Sequence, residues 1–400
     1  MIRKFLTYSG LVVLACILLA AVLLLSRLSQ FRGRVAELAA DGFPVSIADL
    51  NQTGSEAGKE TVNQLNRLWQ PAVSLEKEMW ESLPEDYFFD RPADKEMIDT
   101  FYELNAAYPD VYPSIEKFAE RTEIEINFPG NGQESIEGMM DQAARFRSLG
   151  RLLGWRIQIA IAEDRPNDAV EDGIRILRLS RLTAQHPTLI GFLTTKAVEG
   201  MGLIFTHQVV SNHQISDLLR EQLHTELESL SSDKGFQRAL VSERAFAISS
   251  MTDSGFLQLS FGGVGYLNTI QSIIKAAEQP NGGIGFDEPS AWQIVTTGWQ
   301  AAQAVPAFSQ AAIANARSQS EIRALRIQSA LLSATDIPAT ITPEFLVQIG
   351  VPEPMTLDPM NGELMIIKRT DDKFQIYSVG SNRIDDGGDT NGMMDFGFAQ

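Results

Sequence analysis

Four hundred residues, 44% apolar and 21% charged, make a chain of globular class with room for more than one domain. A formal net charge of −18 argues against nucleic acid as a partner, because phosphate binding needs a basic face, and against wrapping onto an anionic membrane surface. The one cysteine, Cys16, leaves no intrachain disulfide to form.

Leu11 to Leu25 is unbroken apolar sequence. With Phe5, Leu6 and Tyr8 it reaches about 20 residues, enough to cross a bilayer as a helix, so residues 5–26 read as a transmembrane anchor. The run ends Leu23-Leu24-Leu25-Ser26-Arg27 with no Ala-x-Ala site, which favours a retained anchor over a cleaved signal. Arg3 and Lys4 precede it, and Arg27, Arg32 and Arg34 follow, so the charge count does not set its orientation.

Residues 27–60 read as stalk and linker, with Gly42 and Pro44 stopping a helix that continues from the anchor. Residues 61–290 read as a helical domain. The aromatics Trp69, Trp80 and Tyr87-Phe88-Phe89 suit packing, and Pro84 and Pro92 suit a linker over 85–95. From Glu134 the helical period is clear. Phe146, Leu149, Leu153, Ile157 and Ala160 share one face. Asp164 to Asp168 and His186-Pro187-Thr188 break the pattern, and Ser216 reads as the N-cap of a further helix through Leu219, Leu223, Leu227 and Leu230. Short breaks between such helices imply antiparallel hairpins, hence a bundle or array with a surface for another protein. The stretch from Ala160 to Ala184 resembles a tetratricopeptide unit in outline, without a second copy at a fixed period. Glycines at 255–265 and 280–289 read as breaks before a helical stretch over 290–332.

Catalytic signatures are missing. Gly262-Gly263-Val264-Gly265 lacks the Gly-Lys-Ser/Thr ending of a phosphate loop and reads as an ordinary loop. His186, His207, His213 and His224 have no zinc spacing and read as packing or surface residues. No nucleophile elbow occurs, and no small-molecule substrate is indicated.

The tail carries the most pointed pattern. Asp385, Asp386, Asp389 and Asp395 place four carboxylates within eleven residues, Asn382 adds an amide oxygen, and Gly387-Gly388 lets the chain curl. Calcium takes six to eight such oxygens. The EF-hand register fails, since Thr390 and Phe396 stand where glycine and glutamate belong. By composition alone the stretch reads first as a solvated turn.

Residues 311–398 resemble the globular part of the major pseudopilin of type II secretion. The likeness is carried by Asp358-Pro359 with Gly362, by Tyr377-Ser378-x-Gly380, by Gly387-Gly388 and by Asp395. It implies a small α+β module over 305–400 with short antiparallel strands, and calcium held by Asn382, Asp385, Asp389 and Asp395. The pilin leader is absent, so pilus assembly is not implied. The whole layout also resembles single-span envelope proteins of planctomycete-type bacteria, through Arg178-Leu179-Ser180, Pro187-Thr188-Leu189 and the tail. That likeness implies a fold and a location, and no activity.

The expectation is a mainly α protein on one inner-membrane span, N-terminus in the cytoplasm and body outside, where calcium is abundant. Its partners would be the membrane and another envelope protein. Two alternatives stay open: an anchored hydrolase with its cleft between the helices and the tail, and a secretion-system component.

Overall fold

The N-terminal helix does not end with its apolar run. In the computed structural model, which describes residues 2–51, 54–82, 93–128, 132–232, 234–254, 262–278, 299–370, 373–390 and 394–398, helix α1 spans Ile2–Ala40. Leu18, Leu19 and Val22 lie bare on its surface, whereas Leu28 and Phe31, one and two turns on, are buried. The helix is apolar and long enough to cross a membrane. It stops where Gly42 takes φ +79°. There Phe43 N–H reaches Leu38 O at 3.0 Å and Gly42 N–H reaches Ala39 O at 3.1 Å, a Schellman ending.

Helices α2 (Glu56–Glu81), α3 (Lys95–Ala107) and α4 (Val111–Ala119) lead into the main bundle. Ser55 and Asp94 cap α2 and α3 by accepting main-chain N–H groups at 2.9 Å. The linker expected over 85–95 falls mostly outside the described residues. Helices α5 (Gly132–Ala162), α6 (Pro166–Thr183), α7 (Leu189–Asn212) and α8 (Asp217–Ser231) follow the predicted periodicity, with breaks where the sequence placed them. Ser216 caps α8 as expected, accepting Leu219 N–H. Helix α6 packs on both α5 and α7. The backbone of α5 approaches α7 so closely that a Cβ on Gly150 would meet Met201, and one on Gly154 would meet Phe205, so α5 and α7 run parallel with α6 returning between them. Helix α7 is also apolar enough to span a membrane, but most of it is buried inside the bundle as a core helix.

Helix α9 (Gly235–Ser254) and α10 (Val264–Ala277) precede the long α11 (Trp299–Leu331). Short helices α12 (Pro343–Gln348) and α13 (Glu353–Thr356) then lead to a three-stranded antiparallel sheet in the order β1 (Ile366–Thr370), β2 (Lys373–Ser378), β3 (Phe396–Gly397). The strands pair Ile367 with Ile376 and Tyr377 with Gly397. Helix α11 packs against β2 and β3.

Two corrections to the sequence reading follow. Gly263 and Gly265 do not form an ordinary loop. Val264 begins α10, and Gly263 lies so close to Phe31 of α1 that a Cβ would come within 2.6 Å of the ring. The part of α1 assigned to a stalk is also not free. Leu28, Phe31, Val35 and Leu38 join a core with Phe236, Leu240, Tyr266, Ile270 and Phe308. A second, larger core runs from Leu65 on α2 through Leu153 and Leu177 to Leu325 on α11, Ile376 on β2 and Phe398. Helical middle and tail therefore share one interior across the boundary drawn between 290 and 305.

Candidate functional site

The tail is pinned by one carboxylate. Asp358 is buried, and its Oδ1 accepts Met360 N–H and the Ser378 hydroxyl, both at 2.7 Å. Its Oδ2 accepts Val379 N–H at 2.9 Å. One side chain thus closes the Asp-Pro turn and ties it to the end of β2. Arg323 of α11 donates to Leu357 O at 2.5 Å, holding the same turn on the helix. Asp358-Pro359 and Tyr377-Ser378-x-Gly380 stand out in the sequence as two short motifs. Their contact does not, because twenty residues separate them.

The acidic loop hangs from this frame. Asp395 is buried, and its two oxygens accept Gly388 N–H at 2.8 Å and Asp386 N–H at 3.4 Å. Asp395 N–H returns to Asp389 O at 3.2 Å. Asp385 is exposed, and its Oδ1 accepts Gly387 N–H at 2.9 Å and the Tyr377 hydroxyl at 2.8 Å. The Gly387 N–H, then the Tyr377 hydroxyl, hold the Asp385 carboxyl below the usual carboxylate range. Burial, then Asp385, push Tyr377 up. Asn382 is exposed, accepts Ile384 N–H at 3.0 Å and donates to Asp386 Oδ2 at 2.7 Å. Gly387 and Gly388 stand at φ +83° and +85°, where a side chain is strained, and Gln375 of β2 donates to Gly388 O at 3.0 Å.

Of the five residues predicted as calcium ligands, then, Asp385 and Asp395 hold main-chain N–H groups inside the loop, Asn382 and Asp386 hold each other, and Asp389 contributes its carbonyl. Among the described residues no three carboxylate, imidazole or thiol groups gather around one point. The arrangement closes a turn by charge-assisted hydrogen bonds.

Other polar groups sit in the helical interior. Lys196 Nζ lies 2.8 Å from Glu199 and 3.1 Å from the Ser318 hydroxyl, which also bonds Glu199. The lysine–serine pair has the composition of a nucleophile with its base. All three groups are buried in the contact of α7 with α11, so they join helices. Glu321, one turn beyond Ser318, is pushed up by burial despite its bond to Arg317 at 2.8 Å. His207 stacks flat on Phe398 with ring centroids 4.1 Å apart, and His224 lies 3.0 Å from the Ser329 hydroxyl. His186 lies 3.0 Å from the Thr188 hydroxyl, beside an apolar cavity of about 20 Å³, room for about one water. Burial lowers His186 and His207 to about 4. Burial, then Arg326, lower His224 to about 3. These three are packing residues, and His213 ends α7.

No family model, no curated protein and no solved structure matches the chain.

Proposed function

We propose that the protein is a membrane-tethered, non-enzymatic scaffold of the bacterial cell envelope, its helical body presented to a partner protein on a rigid stem. The observation that carries this reading is the continuity of α1, whose exposed apolar segment runs without a break into Leu28 and Phe31 of the interior. A flexible tether would let the body swing. A helix locked into α9, α10 and α11 holds the body at one attitude to the bilayer. The polar clusters described above all serve contacts between elements, which suits a scaffold better than an anchored hydrolase.

The proposed orientation is N-terminus in the cytoplasm and body outside. Cys16 is the one native thiol and lies in the span, so an Ile384→Cys variant reports topology cleanly. A membrane-impermeant maleimide added to intact spheroplasts is expected to label it. Labelling only after lysis would reverse the orientation and remove the envelope assignment.

A calcium-loaded tail is the second reading, favoured by paired glycines at left-handed φ among four aspartates. It requires Asp385 and Asp395 to exchange N–H groups for the ion. Melting residues 27–400 in calcium and in EDTA separates it from the self-closed loop. A calcium-bound native state would gain roughly 2.7 kcal/mol at a hundredfold excess over Kd, whereas the self-closed loop melts identically in both. A role in a secretion system rests on the pseudopilin likeness alone and would be tested by co-purification.

A further inference from the structure

Arg244 on α9 is the least solvent-exposed arginine among the described residues, at 1%. Its Nη1 donates to Gln271 Oε1 at 2.7 Å, and its Cζ lies 4.9 Å from the centre of the Phe43 ring. Among the described residues its Nε and Nη2 have no hydrogen-bond partner. These two nitrogens share one edge of the guanidinium plane, and their N–H bonds point the same way. That edge is the fork that grips both oxygens of a carboxylate.

The same molecule shows what fills such an edge. Arg156 donates from Nε to Asp172 Oδ2 at 2.6 Å and from Nη2 to Asp172 Oδ1 at 2.5 Å. Arg244 presents the identical pair of donors with no acid opposite. Its sequence neighbour Glu243 is turned away and accepts Leu189 N–H at 3.1 Å. A guanidinium keeps its charge at any working pH, and a buried charge without a counter-charge is costly. Phe43, 45% exposed, covers the face of the group and itself meets solvent.

We propose that the Nε–Nη2 edge of Arg244 is a binding site for the carboxylate of a small ligand, framed by Gln271 and Phe43 where the end of α1 meets α9 and α10. A planar two-oxygen anion matches the fork, as Asp172 matches Arg156. A tetrahedral phosphate carries two further oxygens that a two-donor fork does not reach.

Thermal unfolding of the full chain in detergent, with sodium acetate, phosphate or chloride at matched ionic strength, tests the site. Acetate is expected to raise Tm saturably, by a few degrees at about a hundredfold excess over Kd, while chloride and phosphate do not. Arg244→Lys keeps the charge and loses the fork, so its acetate response should vanish. Arg244→Met should also be unresponsive. Equal responses to acetate and chloride, a response to phosphate alone, or an Arg244→Lys protein that keeps the full acetate response would overturn the proposal.

Discussion

Single side chains decide the tail. Asp358 serves three donors from a buried position, so Asp358→Ala should cost about 3 kcal/mol or more and loosen the sheet. Asp395→Ala strands two main-chain N–H groups and should cost about 1–3 kcal/mol with or without calcium. An Asp395→Ala loss confined to calcium-containing buffer would instead make the ion the organiser. The histidines set an acid limit. His186, His207 and His224 are held below the ordinary value of 6.5, so the unfolded chain binds their protons first as pH falls. The stability they contribute is fully present above pH 6.5. It drains away between about 6.5 and 4 for His186 and His207, and continues down toward 3 for His224. Urea midpoints should therefore drop over that window, and a His207→Gln protein should show a shallower slope.

At the scale of elements, helices are clamped by buried ion pairs. Arg156 of α5 grips Asp172 of α6 and reaches Glu116 of α4 at 2.7 Å, while Arg175 adds a 2.7 Å contact to Asp172. Asp172 is almost wholly buried, so Asp172→Ala takes two acceptors from Arg156 and one from Arg175, leaving them Glu116 and Glu171, and should cost about 1–3 kcal/mol in denaturant titration. Replacing Arg156 and Asp172 together by apolar residues of similar volume should recover most of that loss. Glu226 of α8 does the same work between Arg178 at 2.8 Å and Arg181 at 2.6 Å of α6. None of these partnerships follows from helical period, which places a charge on a face and says nothing of what stands opposite.

The whole molecule is organised around two long helices. Helix α1 joins the exposed apolar segment to one core, and α11 links that core, through Phe308 and Ala312, to the interior shared by helices and sheet. Removal of residues 1–25 should leave melting nearly unchanged in aqueous buffer. Removal of residues 1–40 also takes Leu28 and Phe31 and should lower Tm by several degrees, because two buried apolar side chains are lost. Equal melting of the two truncations would show that α1 does not dock. Phe398 closes the chain's far end over His207, and Phe398→Ala should cost about 3 kcal/mol.

Local order was legible before any coordinates. The apolar run from Leu11, the faces of α5 to α8 and the cap at Ser216 are all set by interactions within a few residues, and periodicity and cap chemistry report such interactions directly. The partner of Asp358 lies twenty residues away, and the docking of Phe31 against Gly263 joins segments more than two hundred residues apart. Four aspartates in a row of eleven look alike as sequence whether they face an ion or the chain's own N–H groups. Only packing settles which oxygens are buried, since burial makes an unpaired donor or acceptor too costly to leave.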